Sequence, residues 1–233
     1  MSDYEFTQDW FHWAPEVWKQ LIPLLPEGET YGAADHGVRS FLEIGSFEGR
    51  STVWIIENMM RSGDWIDCVD TWSGGEEHTK EQMDGVEGRF NHNINRAITP
   101  NRIAERRPEF RMGHTSYYGH NKHGDRINLY KYKAKSTELL GKQLNDPMYA
   151  HQPLYDFIYI DGSHVAKDVM TDACMAWPLL KSGGIMVFDD YLWGAPLTVT
   201  HKPKLAIDFF TTLFGEELDI IHLGYQLIVK KKS

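Results

Sequence analysis

Five short apolar runs recur along the chain, most of them separated by enough residues for a helix: SFLEIG (40–45), DWIDCV (64–69), INLYKYK (127–133), LYDFIYI (154–160) and GIMVFD (184–189). Their length and nearly unbroken apolar character predict strands buried on both faces. Helical spacing fills much of the intervening chain. Residues 50–62 place Val53, Ile56 and Met60 on one face before Gly63, and residues 164–180 set Val165, Val169, Ala173 and Trp177 four apart before the turn KSGG. This alternation implies βαβ units in an α/β domain with a mostly parallel sheet. The C-terminal end differs. A helical pattern, HKPKLAIDFFTTLF, precedes LDIIHLGYQLIVKKK, whose two strand-like halves flank His222-Leu223-Gly224 with no room for a crossover helix. The last strand is therefore expected to run antiparallel to its neighbour.

At 233 residues and 42% hydrophobic composition, the chain suits a single domain over 1–233. Within it, 1–38 reads as an aromatic, partly helical N-terminal segment in which Trp10, Phe11, Trp13 and Trp18 pack on the sheet, cover a substrate or form a contact between copies. The polar stretch 73–126 reads as a lid or substrate loop. The N-terminus lacks the basic-then-apolar order of a secretory signal, and no apolar run reaches about 18 residues, so a cytoplasmic protein away from membranes is expected. A formal charge of −9 argues against nucleic acid as a partner. The basic segment NRIAERRPEFR, with Arg102, Arg106, Arg107 and Arg111, reads as a solvated helix face. Cys68 and Cys174 show no metal or disulfide spacing and read as packing residues. His114, His120 and His123 also fit no ligand spacing and are expected on an exposed loop.

The candidate chemistry begins at Glu43-Ile44-Gly45-Ser46-Phe47-Glu48-Gly49, between the first strand and the helix after it. Alone, it serves equally as a structural turn or a ligand loop. A dinucleotide fingerprint would require glycine where Phe47 stands, which disfavours an NAD-dependent oxidoreductase. The second strand ends at Asp70, where a carboxylate can accept hydrogen bonds from ribose hydroxyls.

The acidic residue and GxxxG after the first strand, Asp70 ending the second, LLKSGGIMVFDDY (179–191) and KAKSTELL (133–140) together resemble the class I S-adenosylmethionine-dependent methyltransferases over roughly residues 40–230. That resemblance implies a Rossmann-like, doubly wound seven-stranded sheet of order 3-2-1-4-5-7-6 with strand 7 antiparallel. It further implies S-adenosyl-L-methionine as cofactor, held by Glu43, Gly45, Ser46, Gly49, Ser51, Asp70 and Ser136, with Trp72 either stacked on adenine or an ordinary core residue.

Asp161 follows the fourth strand, and Asp189 and Asp190 follow the fifth, so three carboxylates gather at the C-terminal sheet edge. Such a cluster suits Mg²⁺ or another hard divalent cation. DFIYIDGSH and VFDDY resemble the metal-dependent O-methyltransferases that act on catechols or on sugar hydroxyls, and the related cephalosporin-hydroxylase-like proteins. Their catechol type carries a lysine base where this chain has His164, a residue able to take a hydroxyl proton near neutral pH or simply to cap its helix. The resemblance thus implies Mg²⁺-assisted O-methylation of a small hydroxylated molecule, with Asp161 and His164 catalytic, by a possible homo-oligomer. A hydroxylase-like enzyme or a non-catalytic S-adenosylmethionine-binding protein on the same fold stands as the alternative.

Overall fold

The computed structural model describes residues 4–30, 36–75, 78–106, 113–146, 153–194 and 196–233, with backbone alone considered over 100–106. Among these, one sheet is built from β1 (Ser40–Ile44), β2 (Trp65–Asp70), β3 (Thr99–Arg106), β4 (His114–His120), β5 (Arg126–Lys133), β6 (Tyr155–Ile160), β7 (Leu180–Phe188), β8 (Leu218–Leu223) and β9 (Leu227–Lys231). Helices α1 (Ala14–Trp18), α2 (Arg50–Asn58), α3 (Lys80–Met83), α4 (Val86–Ala97), α5 (Ser136–Asn145), α6 (Ala166–Ala176) and α7 (Pro203–Leu213) accompany it.

The strand order is β3-β4-β5-β2-β1-β6-β7-β9-β8. Strands β5, β2, β1, β6 and β7 are parallel, while β9 is antiparallel to both β7 and β8. The seven strands from β5 to β8 reproduce the expected order 3-2-1-4-5-7-6. Beyond them, β3 and β4 extend the sheet antiparallel to β5. Most of the described part of 73–126 is therefore regular structure. Its polarity concealed an amphipathic helix, α4, which buries Val86, Phe90, Ile94 and Ala97 at helical spacing. The basic segment is corrected likewise: residues 99–106 form an edge strand instead of a helix, and Arg107 and Arg111 lie outside the described residues.

Burial on both faces explains the unbroken apolar runs. Phe41, Phe157, Tyr159, Ile185 and Val187 point into one core with the N-terminal segment, α2 and α4. Their neighbours Leu42, Ile158, Ile160, Met186 and Phe188 point into another with α5, α6 and α7. The expected turn KSGG belongs to β7 as a bulge: Tyr155 pairs with Leu180 and Phe157 with Ile185, with Gly183 at φ +77°. Cys68 is buried as expected, but Cys174 is exposed because it falls outside the stripe formed by Val169, Ala173 and Ala176.

Trp18, at the end of α1, anchors the N-terminal segment to the sheet. It is fully buried, with ring centroids 4.8 Å from Tyr159 and 5.4 Å from Phe157, and its Nε1 donates to Gln226 Oε1 at 2.7 Å. Trp18→Ala would leave both a cavity and an unpaired amide, and is expected to cost about 3–5 kcal/mol in urea unfolding.

Candidate functional site

The loops after β1, β2, β6 and β7 meet at the C-terminal edge of the parallel strands. Their closest approach is backbone to backbone. Gly45 adopts φ +84°, and a Cβ there would stand 2.1 Å from the Asp161 carbonyl oxygen, so no other residue fits. Gly45 N donates to Val69 O at 2.9 Å and Asp161 N to Ile44 O at 2.8 Å, which continues the strand pairing into the loops.

Asp70 fixes the turn after β1. Its Oδ2 accepts from Ser46 N and Phe47 N, both at 2.9 Å, and its Oδ1 accepts from Trp72 N at 2.6 Å. These bonds hold Phe47 and Trp72 at φ +45° and +51°. Asp190, at φ +55°, is the third non-glycine residue with left-handed backbone among the described residues. Each such conformation costs on the order of 1–3 kcal/mol, and all three lie on loops of this edge.

Several residues expected to touch the cofactor have other partners. Glu43 is fully buried and accepts from Ser51 Oγ at 2.6 Å and from Thr52 Oγ1, and burial raises its pKa. Glu43 and Ser51 thus secure the first turn of α2 beneath the loop. Ser46 is buried in the turn, and Gly49, at φ +78°, is the N-cap of α2. Trp72 is buried, its Nε1 donates to Phe47 O at 2.9 Å, and Lys131 Nζ covers the ring at 4.3 Å. Ser136 opens α5 and gives its hydroxyl to Asp172 Oδ1 at 2.6 Å.

The four residues expected at the acid edge and as the base do come together. Asp161, His164, Asp189 and Asp190 line one small cleft, with Ser163 and Pro203. His164 Nε2 lies 2.6 Å from Asp190 Oδ2, and its ring stacks on Trp193 with centroids 4.3 Å apart. Tyr225 OH donates to the other Asp190 oxygen at 2.8 Å. Tyr159 OH stands between the Oδ2 atoms of Asp161, at 2.9 Å, and Asp189. Gln226 Nε2 also donates to Asp189 Oδ2, at 3.0 Å. Burial, then the charges of Asp189 and Asp190, hold the Asp161 carboxyl well above the usual range. Burial and Asp190 raise Asp189 to about 6.

This donor set has the chemistry of a hard-cation site: carboxylate oxygens, partly desolvated and mutually repelling. Among the described residues, however, no three His, Cys, Asp or Glu side chains stand in a ready ligating group. Tyr159, Gln226, His164 and Tyr225 occupy the oxygens a cation would use. Tyr159 and Gln226 escaped the sequence reading; only the spacing of Tyr159, two residues before Asp161, could have suggested a shared strand face.

The N-terminal aromatics border the same edge, with Trp10 5.2 Å from Phe47 and Trp13 5.0 Å from Tyr225. The loop histidines do not converge. His114 lies buried in β4 against Tyr130 and Tyr132, and His123 Nε2 meets the Glu57 carbonyl at 2.9 Å.

A family model described as a methyltransferase domain matches residues 42–191. Among solved structures, the chain is similar to an O-methyltransferase from Bacillus cereus in complex with SAH, at 16% identity and TM-score 0.52, over 83% of this chain and 74% of that one. It is similar to the O-methyltransferase TomG from Streptomyces achromogenes, in complex with SAM, at 12% identity and TM-score 0.50, over 84% and 74%. MycE methyltransferase from the mycinamycin biosynthetic pathway, in complex with Mg and SAH, matches at 14% identity and TM-score 0.52, over 98% of this chain and 51% of that one. At these identities the likeness establishes the fold. No curated protein matches the sequence.

Burial raises Asp172 to about 6 against an ordinary value near 4, even though Ser136 bonds its charged form. The folded state therefore holds a proton that the unfolded chain releases, and stability falls as pH rises from about 4 to 6. Asp172→Asn removes that fall. Its stability relative to wild type, from urea titrations at pH 4 and 7, is expected to improve by about 2 kcal/mol across the interval.

Proposed function

The chain belongs to the methyltransferase-domain family, and we propose that it is an S-adenosylmethionine-dependent O-methyltransferase acting on a hydroxyl of a small molecule. The observation that carries this reading is the His164–Asp190 pair, at 2.6 Å, whose histidine lies in the loop after β6 where the Asp161 carbonyl abuts Gly45 of the Asp70-held turn. A proton acceptor and a turn suited to the donor thus share one rigid edge. The SAH and SAM complexes of the similar O-methyltransferases support the donor assignment.

Asp70 has accepted three backbone N–H groups, which leaves about one of its roughly four lone-pair positions for a ribose hydroxyl. Gly45 and Gly49 keep side chains out of the turn. At the acceptor side, Asp190 Oδ2 pairs with His164 Nε2 and ties the imidazole to the acid edge. His164 would take the acceptor hydroxyl proton as the oxygen gains the methyl that S-adenosylmethionine would supply, leaving neutral S-adenosylhomocysteine. Trp193 and Asp190 hold the imidazole plane, so the base is oriented before substrate arrives. Asp161, Asp189 and Asp190 would hold Mg²⁺ only once Tyr159, Gln226 and Tyr225 gave up their carboxylate oxygens, and its charge would then lower the acceptor hydroxyl pKa, a reading supported by the Mg complex of MycE.

Calorimetric titration with S-adenosylhomocysteine and with NAD, each with Mg²⁺ and with chelator, tests the assignment. Binding of the adenosyl ligand and not NAD is expected; NAD binding alone would overturn it. His164→Ala is expected to lower methyl transfer by about 10²–10⁴-fold with S-adenosylhomocysteine affinity retained. An unchanged pH–rate profile in that variant would return His164 to a structural role.

A further inference from the structure

Glu48, inside the turn after β1, has no part in the reaction just described, yet it is the most heavily engaged acid of that turn. It is 2% exposed. Its Oε1 accepts from Thr7 Oγ1 and from Arg89 Nε, both at 2.6 Å, and its Oε2 accepts from Thr7 N at 2.7 Å. A carboxylate is costly to bury unless its charge and lone pairs are answered, and here a remote segment and an α4 arginine answer them together.

The segment so captured, residues 4–10, has no helix or strand of its own. Polar anchors hold it instead. Asn93 of α4, fully buried, accepts from Glu5 N at 2.8 Å and donates both to Glu5 O and to Glu48 O at 2.9 Å. Arg50, the first residue of α2, pairs with Asp9 at 3.0 Å and lies 4.4 Å above the Phe6 ring. The segment ends at Trp10, which is 53% exposed and packs on Phe47 with centroids 5.2 Å apart; His78 stacks on the same ring at 5.7 Å. Phe47 N is one of the two amides on Asp70 Oδ2.

We propose that Glu48 is a positioning residue that fastens residues 4–10 as a strap across the donor turn, so that Trp10 covers Phe47 and strap docking and donor binding stabilise each other. This rests on the donor assignment above. Two sites that share Phe47 are coupled in both directions: whatever steadies Phe47 against Asp70 favours the docked strap, and the docked strap favours the geometry that receives the donor.

The test combines hydrogen–deuterium exchange of residues 4–10 with calorimetric binding of S-adenosylhomocysteine, on the full chain as wild type, Glu48→Gln and Trp10→Ala. In the wild type the ligand slows exchange of the strap. Glu48→Gln speeds that exchange without ligand, weakens binding about tenfold and abolishes the protection, a size usual for coupled sites. Trp10→Ala, an exposed substitution that keeps every polar anchor, weakens binding while the strap remains docked. Unchanged strap exchange in Glu48→Gln, or unchanged affinity in both variants, would overturn the proposal, because a purely structural Glu48 lowers the unfolding temperature and leaves affinity alone. If Glu48→Gln did not fold by circular dichroism, Trp10→Ala affinity and wild-type protection would decide. Absence of ligand binding to the wild type would overturn the donor assignment and the coupling with it, whereas the anchoring by Glu48 is read separately from exchange of the unliganded proteins.

Discussion

The edge is organised by one steric fact: at Gly45 the chain has no side chain, and the Asp161 carbonyl occupies the place where a Cβ would be. The loops after β1 and β6 are thereby set in direct backbone contact, with Gly45 N bonded to Val69 and Asp161 N to Ile44. Backbone contacts of this kind are short and stiff. The turn after β1 and the acid edge after β6 consequently hold a fixed relation that side-chain packing alone would not provide. Asp70 then secures the turn by three amides, and the cost of the left-handed Phe47 and Trp72 is met by those bonds.

On the other side of that contact the constraint is electrostatic. Asp161, Asp189 and Asp190 are brought together by the ends of β6 and β7, where burial and mutual repulsion raise the first two. The neighbouring phenols and the Gln226 amide donate hydrogen bonds to these oxygens, and His164 completes the set through Asp190. The cluster is thus a balance between carboxylates that repel and donors that share them, poised to respond to any cation or proton that enters.

The central sheet was legible because each of its parallel strands is buried on both faces and so reads as an unbroken apolar run. The antiparallel terminal pair was legible from the short spacing around Gly224. Strands β3 and β4 were not. HTSYYGH in β4 alternates weakly, as an outer strand does, and looks like loop in a polar neighbourhood. At the site, residue types at strand ends located Asp70, Asp161, His164, Asp189 and Asp190, since position on the strand fixes where they emerge. Side-chain partners lay beyond reach: Glu43 turned to Ser51 and Thr52, Ser136 to Asp172, and Trp72 to the Phe47 carbonyl. Each of those partners comes from the folded arrangement and leaves no periodic mark in the chain.

The bond from Trp18 to Gln226, and from Gln226 on to Asp189, joins the beginning of the chain, its last strand pair and the acid edge. During synthesis, all five parallel strands emerge from the ribosome before Gln226 does. Until that residue is free to fold back, Trp18 has no partner for its indole N–H and Asp189 lacks its amide donor. A nascent chain can thus assemble its five parallel strands while the acid edge still lacks the Gln226 amide, which arrives only with the β8–β9 pair.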